Sequence, residues 1–232
     1  MAIFDKIAQK YDSWYQSPLG KISDRLEHSL VNRHIEKLKS KLVLDAGCGT
    51  GLYSMRFARK GAYVMGLDCS EEMLQNAKKK SSSILPVIQY LKGDLHYLPF
   101  KNNIFDIVAS ITALEFCAHP LKVISEMGRV LKPNGQLIIG VLNRDSLWMK
   151  KILEQADDTS IYRHAHLFIP EELKQIINQT NLFRTISIET CIFFPPDDTP
   201  MLPLQIYLKE SLGKWSNPMH GAFILLSTRK KV

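Results

Sequence analysis

Short apolar segments alternate along the chain with stretches that carry apolar residues on one face of a helix. Residues 42–44 form an apolar run that is typical of a strand buried on both faces. Residues 52–60 place apolar side chains at helical spacing, and Gly61 follows where such a helix would end. A second apolar segment, residues 62–67, comes directly afterwards. This order of strand, helix and strand predicts an α/β fold.

Five further strands continue the pattern. The sequence predicts them at residues 87–91, 104–111, 136–142, 185–194 and 222–228. Helices are predicted between them, one capped by Ser70 and two that open at Pro120 and Pro170. We therefore expect a Rossmann-like, doubly wound sheet of seven strands with helices on both faces, mostly parallel but with an antiparallel last strand.

The length of the chain favours a single domain over residues 1–232. Three segments stand outside the alternation. They are a helical segment at residues 1–38, a polar insertion at 143–168, and a proline-rich insertion at 195–220 that cannot be one long helix throughout. We expect both insertions to cap a ligand pocket, because open parallel sheets bind ligands at the carboxyl ends of their strands.

A glycine-rich loop follows the first strand. After Asp45 the chain reads Gly47, Cys48, Gly49, Thr50 and Gly51, so the backbone can bend sharply and a ligand can lie against it. Asp68 follows the second strand, seventeen positions beyond Gly51, where a Rossmann-type site binds the hydroxyls of a ribose. The dinucleotide fingerprint needs a third glycine where Leu52 stands, which argues against a pyrophosphate ligand.

Five motifs in order resemble one known family. They are LDAGCGTG at residues 44–51, Asp68 with CSEEML behind it, GDLHYLPF at 93–100, FDIV at 105–108 and VLKPNGQLIIG at 130–140. Together they resemble the class I S-adenosylmethionine-dependent methyltransferases. The resemblance is closest to the small-molecule branch that includes the quinone and biotin-pathway methyltransferases, and it covers roughly residues 4–142.

The resemblance implies S-adenosylmethionine as the cofactor and a set of residues around it. The acid of the Gly93 and Asp94 pair would lie beside the adenine, although Gly-Asp is also ordinary turn chemistry. The helical segment at 1–38 would close over the cofactor as a lid, with Tyr11 near the methionine end; the alternative is that Tyr11 and Trp14 only pack on the core. The implied contacts are Tyr11, Asp45, Gly47, Cys48, Gly49, Gly51, Asp68, Cys69, Met73, Gly93, Asp94, Leu95, Thr112 and Leu114.

Methyl transfer from a sulfonium needs alignment, a dry pocket and, for a poor nucleophile, a base. The candidate side chains for contacting the acceptor are Tyr162, His164, His166 and Glu115, with His166 as a possible base. We expect no metal, because the HxH pair has no third ligand at fitting spacing. Apolar residues in both insertions favour an aromatic, isoprenoid or lipid-like small molecule as the acceptor. These are Trp148, Phe168, Phe193, Phe194, Leu202, Ile206, Tyr207 and Trp215.

The formal charge of +7 does not by itself predict a nucleic-acid partner. The lysine runs are not interleaved with aromatic residues as a base-stacking surface would be, so a solvated face is the preferred interpretation. No apolar run is long enough to cross a bilayer, and the four cysteines show no CxxC spacing. We expect a cytoplasmic protein with reduced thiols and no integral membrane contact. The oligomeric state stays open.

Three other functions remain as alternatives. A non-catalytic S-adenosylmethionine-binding module would carry the same motifs. A nucleic-acid methyltransferase is disfavoured because residues 112–115 replace the NPPY-like motif that methylation of base amino groups would need. A nicotinamide-dependent oxidoreductase is disfavoured by Leu52 and by the antiparallel last strand.

Overall fold

The protein folds around one mixed β-sheet. The computed structural model describes residues 4–5, 8–84, 88–157, 160–196 and 202–232. Within these residues the seven strands run in the order β3-β2-β1-β4-β5-β7-β6. The strands are β1 (Leu42–Ala46), β2 (Tyr63–Asp68), β3 (Gln89–Lys92), β4 (Phe105–Ile111), β5 (Leu131–Leu142), β6 (Phe183–Cys191) and β7 (Phe223–Lys230). Strands β1 to β5 pair in parallel, and β7 pairs antiparallel with β5 and β6. The predicted fold class is confirmed.

Helices flank the sheet on both faces. They are α1 (Ala8–Trp14), α2 (Pro18–His34), α3 (Leu52–Arg59), α4 (Glu71–Ser81), α5 (Pro120–Val130), α6 (Leu147–Gln155), α7 (Pro170–Gln179) and α8 (Pro203–Ser216). Short 3-10 turns occupy Leu114–Phe116 and Ile161–His164. No helix in the described ranges is long and apolar enough to span a membrane.

The core has two parts because successive strand residues point to opposite faces. Val43 packs with residues of α2 and α3, whereas Leu44 packs with residues of α5 and α7. Both side chains are fully buried. Strand β1 therefore lies in the middle of the fold, and its carboxyl end delivers the glycine loop to the centre of one sheet edge.

Some predicted boundaries are wrong. Strand β5 begins at Leu131 rather than at residue 136, and its register with β4 breaks between Leu131 and Gln136. Strand β6 ends at Cys191 rather than at residue 194, because Ile192 takes a φ of +69°, which a ladder residue cannot keep. The third strand was predicted over 87–91, of which Val87 lies outside the described residues.

Candidate functional site

A cavity of about 310 Å³ opens at the carboxyl ends of β1, β2 and β4. Its size is that of a small-molecule pocket. Most residues that the resemblance implied meet in its lining. These are Tyr11, Asp45, Gly47, Cys48, Gly49, Asp68, Cys69, Met73, Gly93, Asp94, Leu95 and Thr112. The folded chain therefore brings together positions that are up to about a hundred residues apart in the sequence.

The glycine loop is shaped by backbone that only glycine adopts easily. Gly47, Gly49 and Gly51 have φ values of +79°, +52° and +79°. A Cβ at Gly47 would come within 2.3 Å of the Ala113 side chain, and one at Gly51 within 2.6 Å of the Tyr90 hydroxyl. A Cβ at Gly49 would meet no atom within 4 Å beyond its chain neighbours. Gly49 is thus the glycine that presents bare backbone to open space.

Asp68 joins the end of β2 to the glycine loop. Its Oδ2 accepts a hydrogen bond from the Gly49 N–H at 2.8 Å, and its Oδ1 accepts one from the Ser70 N–H at 2.9 Å. Burial raises the pKa of Asp68, although the backbone N–H groups of Ser70 and Gly49 oppose this effect. Each carboxylate oxygen has a second lone pair, so Asp68 can still accept a hydrogen bond from a ligand.

Asp94 lies on the same side of the cavity, just after β3. It accepts hydrogen bonds from the His96 N–H at 2.9 Å and from the His96 ring at 2.6 Å. Partial burial raises its pKa, but these hydrogen bonds outweigh burial and hold the pKa of Asp94 below its usual range. The Asp94 side chain is thereby held as an anion at the cavity wall.

Thr112 marks the end of β4 with strained backbone. Its φ is +50°, which is uncommon for a β-branched residue. The Thr112 N–H donates to the Gly140 carbonyl at 2.8 Å, and the hydroxyl donates to the Ile111 carbonyl at 2.9 Å. These two hydrogen bonds hold the strained turn against the cavity, and such strain is typical of ligand sites.

The order of the strands separates two ends of the cavity. Asp68, Asp94 and Leu95 follow β2 and β3, at one edge of the sheet; we call this the β2 end. Helix α2 packs against β5, β7 and β6, in the other half of the sheet, and contributes Glu27 to the cavity. We call that side the α2 end; its lining includes Tyr11, Tyr15, Glu27 and Tyr53.

Sequence reasoning missed Glu27 and Tyr53. Glu27 is buried, and burial together with the nearby Asp24 carboxylate raises its pKa to about 8, although Arg56 opposes the shift. One signal was available in the sequence. Glu27 lies three and four positions before Leu30 and Val31, on the apolar stripe of α2, where an acid is unusual.

Two of the predicted acceptor contacts, Glu115 and Tyr162, are not among the residues that line the cavity. Glu115 is buried, its Oε1 accepts a hydrogen bond from the Leu142 N–H at 2.7 Å, and burial raises its pKa to about 7. Tyr162 is partly buried near Tyr11 and Glu27, and burial raises its pKa to about 12. Neither side chain lines the cavity. Glu115 instead ties the end of β4 to the end of β5.

His166 is turned away from the cavity. Its side chain is 48% exposed, and its Nε2 lies 2.6 Å from the Glu172 carboxylate at the start of α7. The structure therefore gives no support to His166 as a base. The His164 side chain lies outside the described residues. Gly51 and Leu114 do not line the cavity either: Gly51 packs under Tyr90, and Leu114 is a core residue.

The two insertions do not supply the cavity lining. No described residue of 143–168 or 195–220 belongs to the lining. The prediction that these insertions cap the pocket is therefore wrong for the described residues. Their apolar residues have other places: Trp148, Phe168 and Phe194 are buried in the core, whereas Tyr207 and Trp215 face outward. The N-terminal segment does contribute, through Phe4, Tyr11 and Tyr15. Trp14 packs edge-on against Tyr15, outside the lining.

Comparisons with known proteins agree with this architecture. Residues 44–139 match a family model described as a methyltransferase domain. An uncharacterized protein of Methanocaldococcus jannaschii is 32% identical over 230 residues, which is 99% of this chain and 100% of that protein. A malonyl-[acyl-carrier protein] O-methyltransferase of Buchnera aphidicola is 31% identical over 185 residues, which is 80% of this chain and 71% of that protein.

A solved structure has the same fold over the whole chain. It is the crystal structure of an S-adenosylmethionine-dependent methyltransferase, a possible histamine N-methyltransferase, from Thermotoga maritima. The two structures align with a TM-score of 0.78 over 99% of each chain, at 22% sequence identity. At this identity the similarity concerns the fold.

Proposed function

Since the chain belongs to the S-adenosylmethionine-dependent methyltransferases, we propose that it methylates a small molecule with an aromatic or other apolar body, bound at the α2 end of the cavity. The cofactor of this family supplies an electrophilic methyl group on a sulfonium. The chain itself has to hold the cofactor, align the acceptor and exclude water from both.

The residues at the β2 end fit the adenosine part of this cofactor. The open space beside Gly49 leaves room for a ligand against bare backbone. Asp68 keeps free acceptor capacity for the ribose hydroxyls, and Asp94 is held as an acceptor for the exocyclic amine of adenine. We propose these three contacts, together with Cys69, Met73 and Leu95 as an apolar wall around the adenine.

The observation that carries the acceptor proposal is the aromatic part of the cavity lining. Phe4, Tyr11, Tyr15, Tyr53 and Phe116 all line the cavity. The rings pack on one another: Phe4 and Phe116 lie edge-on with centroids 4.7 Å apart, and Tyr11 and Tyr15 lie 5.9 Å apart. Such walls offer large apolar area with few polar groups, which suits a ring or a chain better than a highly charged acceptor.

A methyl-transfer screen tests this proposal. The purified protein is incubated with S-adenosylmethionine carrying a tritiated methyl group and with four acceptors: catechol, hydroquinone, histamine and a malonyl thioester. We expect label on one of the neutral ring compounds. Transfer to the malonyl thioester or to histamine alone would overturn the apolar acceptor class. Tight binding of S-adenosylhomocysteine without turnover of any of the four would favour the non-catalytic alternative.

A further inference from the structure

Glu27 is a buried acid without a hydrogen-bond or ion-pair partner among the described residues. It is only 8% exposed, and it forms no hydrogen bond or ion pair with any other part of the described chain. Burying a carboxyl without a partner is costly, so such a group is rarely kept for stability. Glu27 is one of the residues that line the cavity. The cavity is therefore where a partner for Glu27 can come from.

Tyr53 adds a second unpaired polar group at the same place. Tyr53 also lines the cavity, and its hydroxyl is buried with no hydrogen-bond partner in the described residues. The Arg56 guanidinium lies over this ring, 5.1 Å from the centroid, and pairs with Asp24 at 2.6 Å. Helices α2 and α3 thus place an unpaired carboxyl and an unpaired, fully buried hydroxyl on two neighbouring residues of the α2 end.

Resting on the proposed function, we propose that Glu27 and Tyr53 bind the methyl acceptor through a hydroxyl group on its apolar body, and that Glu27 takes the proton of that hydroxyl during transfer. The α2 end lies across the cavity from Asp68 and Asp94, so an acceptor there does not compete with adenosine. This assignment makes Glu27 a catalytic residue that touches the acceptor.

The proton has a defined path in this scheme. The acceptor oxygen forms a bond to the methyl carbon, the carbon–sulfur bond breaks, and its electron pair stays on sulfur. The hydroxyl proton goes to the Glu27 carboxylate, which becomes a neutral acid. Burial raises the pKa of Glu27 to about 8 in the free protein, and the positive charge of the bound cofactor favours the carboxylate that accepts the proton. Once that charge is lost in the transfer, the neutral acid suits the buried surroundings of Glu27.

Charge favours a hydroxyl over an ammonium group. The charged and titratable groups that face Glu27 are Asp24 on its own helix, Arg56 and Tyr53 on α3, Glu115, Tyr11, Tyr15, Tyr162 and Cys191. The carboxylate of Asp24 is neutralised by Arg56. A bound sulfonium already supplies one positive charge for Glu27, so a cationic acceptor would add a second positive charge beside the first.

Three ligands of one shape test the assignment without turnover. They are benzyl alcohol, benzylamine and ethylbenzene, which differ only in the hydroxyl, ammonium or methyl group at the end of the side chain. Each is titrated by saturation-transfer NMR into the protein saturated with sinefungin, an inert cofactor analogue with an ammonium in place of the sulfonium. We expect benzyl alcohol to bind about 10- to 100-fold more tightly than ethylbenzene, because a hydrogen bond to a charged group increases affinity by about this factor.

Two variants and one control complete the experiment. Glu27→Leu should fold well, because it removes a buried unpaired acid. In this variant benzyl alcohol and ethylbenzene should bind with about equal affinity. Tyr53→Phe should reduce the preference for benzyl alcohol by a smaller factor. Glu154→Gln, at an exposed position of α6, should leave it unchanged. A merely structural role of Glu27 would weaken all three ligands alike.

The outcomes separate this inference from the proposed function. If sinefungin does not bind the wild-type protein, the proposed function itself fails. If sinefungin binds but the three ligands bind equally, or if Glu27→Leu keeps the hydroxyl preference, the role of Glu27 is overturned alone. If benzylamine binds most tightly, the acceptor class is an amine and the assignment of a hydroxyl is wrong.

Discussion

The Gly49 backbone N–H donates a hydrogen bond of 2.8 Å to Oδ2 of Asp68. This contact joins the glycine loop after β1 to the acid that ends β2. Because Oδ1 of the same carboxylate accepts the Ser70 N–H, Asp68 also anchors the start of α4. One side chain thereby sets the shape of the loop and the position of the proposed ribose contact.

Replacing Asp68 tests the ribose contact. Asp68→Ala should weaken S-adenosylhomocysteine binding by roughly 10- to 100-fold, because a hydrogen bond to a charged group contributes about 1.5 to 3 kcal/mol. Calorimetry measures the affinity. Asp106→Ala is the matched control, since Asp106 also accepts a backbone N–H, from Leu42 at 2.9 Å, but outside the cavity. Equal affinities of the two variants would mean that Asp68 does not bind the ribose.

The buried Glu115 should make stability depend on pH. Burial raises its pKa to about 7 in the folded protein, so the folded state binds a proton that the unfolded state releases near pH 4.5. The contribution of Glu115 is therefore fully present below about pH 4.5 and is lost as the pH rises through about 7.

Urea unfolding of Glu115→Gln measures this effect. The glutamine can still accept the hydrogen bond from Leu142 but cannot ionise. Relative to this variant, the free energy of unfolding of the wild-type protein should fall by up to about 1.4 kcal/mol per pH unit between about pH 5 and 7. If the two stability profiles run parallel across that range, burial does not raise the pKa of Glu115.

Asp12 should control how the N-terminal segment closes the cavity. Its Oδ1 accepts from the Thr50 hydroxyl at 2.7 Å and its Oδ2 pairs with Lys80 at 2.6 Å, so it pins α1 to the glycine loop and to α4. In Asp12→Ala we expect the amides of α1 to exchange hydrogen faster and S-adenosylhomocysteine to dissociate faster.

A control variant and the helices of the two insertions should not show the changes expected for α1. Glu36→Ala breaks a comparable ion pair, to Arg229 at 2.9 Å, away from the cavity lining, and should change neither rate. The amides of α6 and α8 should not respond to cofactor, because these helices do not line the cavity. Unchanged exchange of α1 in Asp12→Ala would contradict the lid.

The sequence was most informative where local pattern decides the structure. The run Leu42–Leu44, Asp68 after the second apolar segment and the cap at Ser70, which accepts from the Met73 N–H at 3.1 Å, all lie where the pattern predicts. Parallel strands must end at one edge, so residues after them could be expected to share a cavity.

Positions that depend on tertiary packing could not be predicted in the same way. Nothing in the sequence near His166 shows that its ring pairs with Glu172 instead of facing the cavity. The apolar residues of the insertions could fill either a pocket or the core, and Trp148 fills the core. Glu27 was missed because a role for it requires knowing which strands α2 covers, and that relation is set by contacts distant in sequence.

The most direct test of a cofactor site at the glycine loop compares two glycines. Gly49 and Gly61 both have positive φ, +52° and +84°, so a side chain strains the backbone at either position, by about 1 to 2 kcal/mol. A Cβ at Gly49 would enter the open space of the cavity, whereas one at Gly61 would contact Lys39, with the nearest atom at 3.4 Å.

Calorimetric titration of S-adenosylhomocysteine into Gly49→Val and Gly61→Val decides the matter, with circular dichroism to establish that both are folded. We predict that Gly61→Val binds like the wild-type protein and that Gly49→Val loses at least about 100-fold in affinity, because its methyl groups occupy the space of the ligand. A folded Gly49→Val protein that binds as tightly as Gly61→Val would contradict a cofactor site at this loop.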